Sequence, residues 1–308
     1  MSDSNLPTFS VIVPTYNRPA SLKLCLAALA AMNYPKDHFE VIVVDDGGTS
    51  DLLALINSFS QTMNLRCVRQ DNAGPAAARN TGAAAAKNDF LAFTDDDCAA
   101  HQNWLMQLAA ALTSDRTTLI GGQRRNAMPE NFCCTASQMI IDVVNVHFNH
   151  DHQNATFFPS DNMAMSRQQF LEIGGFDTTF RCSEDRDLCD RWSARGWRLV
   201  FAPDAVVDHA REMGLWGFCK QHFGYGRGAW RFHKTRKMRG RGNVQVEGSF
   251  YLKCFREPFR TEPLRRAILL AMLLVIWQFV NTAGFFFEAF KSPGSAQTSD
   301  FKSASTIR

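Results

Sequence analysis

The 308-residue chain is short of the features that mark several common enzyme classes. No Gly-x-Gly-x-x-Gly turn follows its first apolar run, "SVIVPTYNRP", and Gly-x-x-x-x-Gly-Lys-Ser/Thr occurs nowhere. These absences remove the backbone cradles with which dinucleotide-binding and P-loop enzymes hold phosphate. Nine cysteines are scattered without the paired spacing of a zinc site, and their odd number fits reduced packing residues better than a disulfide framework. A net charge of +3 is too small to point to nucleic acid as a partner. The opening "MSDSNLPTFSVIVPTYN" has neither a basic start nor a long apolar core, so no secretory leader is expected.

What is present is a globular composition, 45% hydrophobic and 20% charged, with short β-branched runs alternating with Ala- and Leu-rich segments. "FSVIVP" predicts a buried strand, then "ASLKLCLAALAAM" a helix opened by Pro19. "EVIVVDD", "LRCVRQ" and "FLAFT" predict further strands, separated by a helix near residues 51–59 and by "GPAAARNTGAAAA", a helix with Pro75 in its first turn. Strands spaced by helices in this way imply parallel βαβ units, in which ligands bind beyond the carboxyl ends of the strands. "PTYNR", "DDGGTSD" and "TDDD" therefore belong on one edge of an open, mostly parallel sheet flanked by helices. Downstream, "TASQMIIDVVNVHF" reads as a helix, and "SEDRDLCDRWSARGW" as another with Ser183 as N-cap and acids in its first turn.

Asp95, Asp96 and Asp97 crowd like charges at the end of a strand, and such a cluster needs a cation, hydrogen bonds or solvent. "SVIVPTYNRP", "EVIVVDDGGTSD", "NAGPAAARNTGAAAAKNDFLAFTDDDC", "GGFD" and "SEDRDLCDRW", in that order, resemble the catalytic domain of glycosyltransferase family 2. These are GT-A fold enzymes that use nucleotide-diphosphate sugars, and the resemblance covers residues 9–209. It implies a divalent metal, Mn²⁺ or Mg²⁺, against the Asp95-x-Asp97 pair, with Asp97 as direct ligand and Asp95 sharing the metal or facing the ribose. Asp96 is grouped with the donor site but points elsewhere in an extended chain. His209, in "VVDHAR", resembles the histidine that completes the metal shell in some relatives. Pro14, Thr15 and Tyr16 resemble the nucleoside-binding wall, and Arg18 of the same segment is grouped with them. Asp46, with Asp45 as the alternative, resembles the acid that hydrogen-bonds the base, and Arg79 is placed to reach base or phosphates. Asp185 resembles the general base that deprotonates an acceptor hydroxyl, and Glu184 its orienting or acceptor-contacting neighbour, which implies single displacement with inversion. Asp161 and Asn162 fall in the region that faces donor sugar or acceptor in relatives, without an assigned role.

Gln-x-x-Arg-Trp is absent, since Arg191 and Trp192 follow "DLCD", and only one long apolar segment occurs; transfer of a single sugar is expected rather than polymer extrusion. A nucleotidyltransferase shares the α/β plan, but its Gly-rich turn is replaced here by "VPTYNRP". A catalytically silent binding scaffold would be expected to have lost acids that are all present. Residues 267–287, "AILLAMLLVIWQFVNTAGFFF", are uncharged and long enough to cross a bilayer. Lys253, Arg256, Arg260, Arg265 and Arg266 precede them, which by the positive-inside tendency keeps the catalytic domain in the cytoplasm as part of a single-pass membrane protein. Between residues 220 and 241 eight Lys or Arg occur without an acid, interleaved with aromatics, and this run is expected on the cytoplasmic leaflet beside a glycan or lipid-linked acceptor. The expected organisation is an extension (1–8), a catalytic domain (9–212) with nucleotide-sugar (9–122) and acceptor (123–212) halves, a juxtamembrane segment (213–262), a transmembrane helix (263–291) and a disordered tail (292–308).

Overall fold

The structure, a computed structural model, describes residues 6–113, 116–242 and 248–291. The tail expected over 292–308 lies outside the described residues. The first half follows the alternation read from the sequence. β1 (Phe9–Thr15), α1 (Pro19–Ala30), β2 (Phe39–Asp45), α2 (Leu53–Phe59), β3 (Asn64–Arg69), α3 (Pro75–Ala85) and β4 (Phe90–Thr94) succeed one another. β1, β2, β3 and β4 are mutually parallel in the order β3-β2-β1-β4.

β1 and β2 are continuous apolar runs because both sheet faces are covered. Alternate residues serve opposite sides, as the two-residue period of a strand requires. Val11, Val13, Val41 and Val43 pack with Leu22, Leu26 and Trp104 on one face. Ile12, Ile42 and Val44 pack on the other with the alanines of α3, Phe170, Leu188 and Trp192. Pro14 and Thr15 are the last two residues of β1 rather than a loop after it, with Pro14 buried opposite Val44.

The second half completes an eight-stranded sheet. It comprises β5 (Cys98–Ala100), α4 (Trp104–Ala111), β6 (Leu119–Asn126), α5 (Phe132–Phe148), β7 (Asn162–Ser166), α6 (Arg167–Glu172), α7 (Glu184–Ala194) and β8 (Leu199–His209). β7 runs antiparallel to β4 and pairs Asn162 with Thr94, so Asp161 arrives beside the acidic cluster. β5 pairs antiparallel with β8 and sets Cys98 opposite His209. Asn162 is structural: it accepts from Trp104 Nε1 at 2.8 Å and donates to the carbonyls of Gln123 and Ala205 at 3.0 and 2.8 Å.

Three helices follow: α8 (Leu215–Met238), α9 (Gly248–Thr261) and α10 (Leu264–Lys291). With α5 they share a third apolar cluster that includes Phe218, Cys254, Leu270, Leu274 and Trp277. Much of the basic run of α8 is turned toward protein rather than displayed to a leaflet. Arg227 and Arg231 pair with Glu288 of α10 at 2.7 and 2.6 Å, Arg236 pairs with Asp190 at 3.1 Å, and Arg239, just past the helix, pairs with Asp187 at 2.6 Å. Buried acids on α7 and α10 take up these cations, which explains how so basic a helix packs against both.

Candidate active site

The segments after β1, β2 and β4 lie together at the sheet edge, and β5 and β8 add His209. Arg18 bridges the cluster, with Nη2 at 2.5 Å from Asp96 and Nη1 at 2.6 Å from Asp97. Asp96 is fully buried and points back into the fold, where Thr15 Oγ1 donates to it at 2.7 Å. Burial pushes the Asp96 carboxyl up to about 7 against the pull of Arg18 and Thr15, with the charges of Asp97 and Asp95 adding to the rise. Asp96 and Thr15 thus support the cluster from behind, and Pro14, buried in β1, is part of the same backing.

Asp97 faces the other way. Its Oδ1 is buried with no hydrogen-bond partner among the described residues, 3.5 Å from His209 Nε2. Burial and the nearby Arg124 lower the His209 pKa and favour the neutral imidazole that a metal requires. A carboxylate oxygen without a donor beside an imidazole nitrogen suits a divalent cation. Among the described residues no three His, Cys, Asp or Glu side chains already converge as a closed cage.

Arg79 has a place the sequence did not indicate. Expected to reach base or phosphates, it is buried and joins the two acidic groups instead, with Nη2 2.6 Å from Asp95 and Nη1 3.0 Å from Glu184. Burial alone would raise the Asp95 pKa, but Arg79, His209 and Arg18 hold it below the usual carboxylate range. Glu184 is therefore anchored rather than loose beside an acceptor. Asp185, the next residue, accepts the Arg186 N–H at 2.7 Å, and burial together with the charge of Glu184 pushes its carboxyl up to about 7. Ser183 does not cap α7: its φ of 72° is left-handed and its side chain makes no cap hydrogen bond. Asp185 covers one of the first-turn amides in its place, so the helix opens with its acids toward the cavity and a strained residue behind them.

On the nucleoside side, Tyr16 is 49% exposed at the end of β1. Asn17 ties this loop to the next, its Oδ1 accepting from Thr49 N at 2.6 Å. Asp45 accepts from Gly48 N at 2.9 Å and pairs with Arg69 at 3.1 Å. Asp46 accepts from the Gln70 side chain at 2.8 Å and from Ala73 and Gly74 N, both at 2.9 Å. Both acids therefore organise the loops around them, while retaining lone pairs for a further donor.

One cavity of about 1160 Å³ connects Asp95 and Asp97 with Glu184, Asp185 and His209. It continues past Arg124, which pairs with Asp161 at 3.1 Å, to Ser137, His222 and Tyr225, and ends against α9 and α10. Sequence reading missed Arg124, Ser137, His222 and Tyr225. For the last two a signal existed: they are three residues apart on a helix and so share a face.

An open sheet edge with a strand-end acid cluster, and a second acid pair across the same cavity, defines a nucleotide-sugar transferase site on a GT-A fold. The family described as Glycosyl transferase family 2 matches residues 10–176. The chain belongs to that family. It is 30% identical over 228 residues to the glycosyltransferase AglE of Haloferax volcanii, covering 73% of this chain and 74% of that protein. It is 29% identical to the pre-mycofactocin glycosyltransferase of Mycobacterium tuberculosis over 70% of this chain but only 46% of that longer protein. Among solved structures, the mannosyltransferase PcManGT of Pyrobaculum calidifontis, in complex with GDP-Man and Mn²⁺, has the same fold. Its TM-score is 0.67 at 18% identity, over 94% of this chain and 89% of the other.

Proposed function

We propose that the protein moves one sugar from a nucleotide-diphosphate sugar to a hydroxyl of a glycan or lipid-linked glycan, with inversion, in a hexosyltransferase reaction. The observation that carries this reading is the bridge through Arg79: the acid cluster after β4 and the acid pair opening α7 face one cavity and are separated by a single guanidinium. Asp97 and His209 would hold the divalent cation, Mn²⁺ or Mg²⁺, with Asp95 beside them. When bound, that cation neutralises the leaving diphosphate. Tyr16 and the loops held by Asp45 and Asp46 receive the nucleoside, and Arg18, paired with Asp96 and Asp97 at the cavity wall, serves the donor side. Asp185 takes the proton of the acceptor hydroxyl as it attacks the anomeric carbon from the face opposite the leaving group. Glu184, fixed by Arg79, keeps α7 in register with the donor site. Residues 9–122 form the donor half and 123–212 the acceptor half, to which α8 adds His222 and Tyr225.

α10 is long and apolar enough to be a candidate membrane element. Were α10 to cross the bilayer, the basic residues just before it would keep the catalytic domain on the cytoplasmic side. The test of the reaction is release of nucleoside diphosphate from a panel of GDP- and UDP-sugars by full-length protein with and without Mn²⁺. Metal-dependent release from one donor is expected. Absence of both release and donor binding across the panel would overturn the reading.

A further inference from the structure

α10 has two different faces. Ala267, Leu270, Leu274, Trp277, Gly284 and Glu288 are buried and recur at three- and four-residue spacing. Leu270, Leu274 and Trp277 enter the third apolar cluster, and Glu288 takes Arg227 and Arg231. Gly284 lies so close to α8 that a Cβ there would stand 2.1 Å from the Phe223 carbonyl oxygen. Contact with the rest of the protein thus runs from residue 267 to 288, about 32 Å at 1.5 Å per residue, which is the whole thickness of a bilayer core. A helix crossing the membrane over that length would carry α8 into hydrocarbon with it. α8 exposes Lys220, Lys234 and Lys237, and unpaired cations are costly at that depth.

The opposite face of α10 exposes Ile268, Met272, Val275, Phe279, Phe286 and Phe290. On α9, Leu252 and Phe259 are likewise exposed, and Phe255 borders the same apolar pocket as Val275 and Phe279. Lys253, Arg256 and Arg265 are exposed beside this surface, while Arg260 there is paired with Glu257 at 2.5 Å. An apolar strip flanked by cations complements an anionic leaflet, since acyl chains cover the strip and headgroups meet the cations. The cavity also reaches this surface: Gln278, Thr282 and Phe286 line both it and the apolar pocket between α9 and α10.

We infer that α9 and α10 lie along an anionic leaflet, with α10 in the plane of the membrane rather than across it. The active site then opens toward the leaflet on which the two helices rest. This placement does not depend on which residue is the base or which metal is bound.

Sidedness tests it. In a Cys67→Ser background, Lys23→Cys on the catalytic domain and Lys291→Cys at the end of α10 are labelled in sealed membrane vesicles with an impermeant maleimide, the parent chain serving as blank. The in-plane arrangement requires both positions to react from the same side. Reaction of Lys291→Cys from the opposite side would establish a spanning helix and overturn the inference. Binding of full-length protein to phosphatidylserine-containing vesicles should exceed binding to phosphatidylcholine vesicles by about fivefold per engaged cation and weaken with salt. Phe279→Glu should lower it about tenfold or more. If neither vesicle binds, and Phe279→Glu instead converts a dimer to a monomer, the strip is covered by a second copy and the inference fails.

Discussion

Acidifying the assay should switch the reaction off through Asp185. Burial and the adjacent Glu184 place that carboxyl at about 7. About half of it is then ionised at pH 7, about a tenth at pH 6 and about a hundredth at pH 5. A general base acts only as the carboxylate. The rate should therefore fall about tenfold per unit below that point and level off above it. Asp185→Asn should lose about 10² or more in rate at neutral pH, and the acid limb with it, while donor affinity stays within about a few-fold. Glu184→Gln sharpens the test, because it removes one cause of the raised value and frees Arg79, whose charge acts in the same lowering direction. The acid limb of that variant should move to lower pH. The readout is nucleoside diphosphate release at saturating metal, with donor binding measured at each pH so that loss of the cation is not mistaken for loss of the base. A flat profile between about pH 5 and 8, or an Asp185→Asn variant with the parental rate, would place the base elsewhere.

Asp97→Ala should abolish metal-dependent donor binding in titration calorimetry; unchanged affinity would sink the ligand assignment. Arg79→Met leaves Asp95 and Glu184 without their shared partner and should destabilise the fold by about 3–5 kcal/mol. A denaturation midpoint shifted by the equivalent of less than about 1 kcal/mol, as for a surface pair, would refute the bridging role. Gly284→Val puts atoms where the Phe223 carbonyl stands and should loosen α10 from α8, seen as faster amide exchange along both helices. Parental exchange rates would mean that the close approach does not hold the two helices together.

The donor half was legible because its signals are local. β1 and β2 are unbroken apolar runs, each strand–helix pair carries its own punctuation, and the strand-end rule gathers the acidic segments without knowledge of the sheet order. The second half hides its strands behind residues that normally mark turns. β6 contains Gly121 and Gly122, which fit there because a Cβ would fall 1.9 Å from the Phe158 ring and 2.1 Å from the Ala205 carbonyl oxygen. β8 is interrupted by Pro203 and Asp204, both exposed. The two glycines answer to neighbours far away in the chain, and Pro203 and Asp204 fall where β8 slips register against β6, between Ala202 opposite Gly122 and Val206 opposite Gln123; no local period records either.

α8 makes the same point for the site. Its glycines weaken it as a helix by about 1 kcal/mol each relative to alanine, so contact must offset them. Gly226 meets the Asn281 carbonyl oxygen of α10, where a Cβ would lie at 1.9 Å, and Gly228 meets Cys182 and Ser183 just before Asp185, where it would lie 2.6 Å from Ser183 Oγ. Between them Arg227 reaches Glu288. A count of charges along this stretch finds a basic segment suited to lipid, whereas its glycine spacing locks one face to α10 and another to the loop that presents the catalytic acids. His222 and Tyr225 thereby enter the cavity wall. The inferred membrane-facing role passes to the neighbouring surface of α9 and α10, whose apolar side chains stand exposed among the described residues.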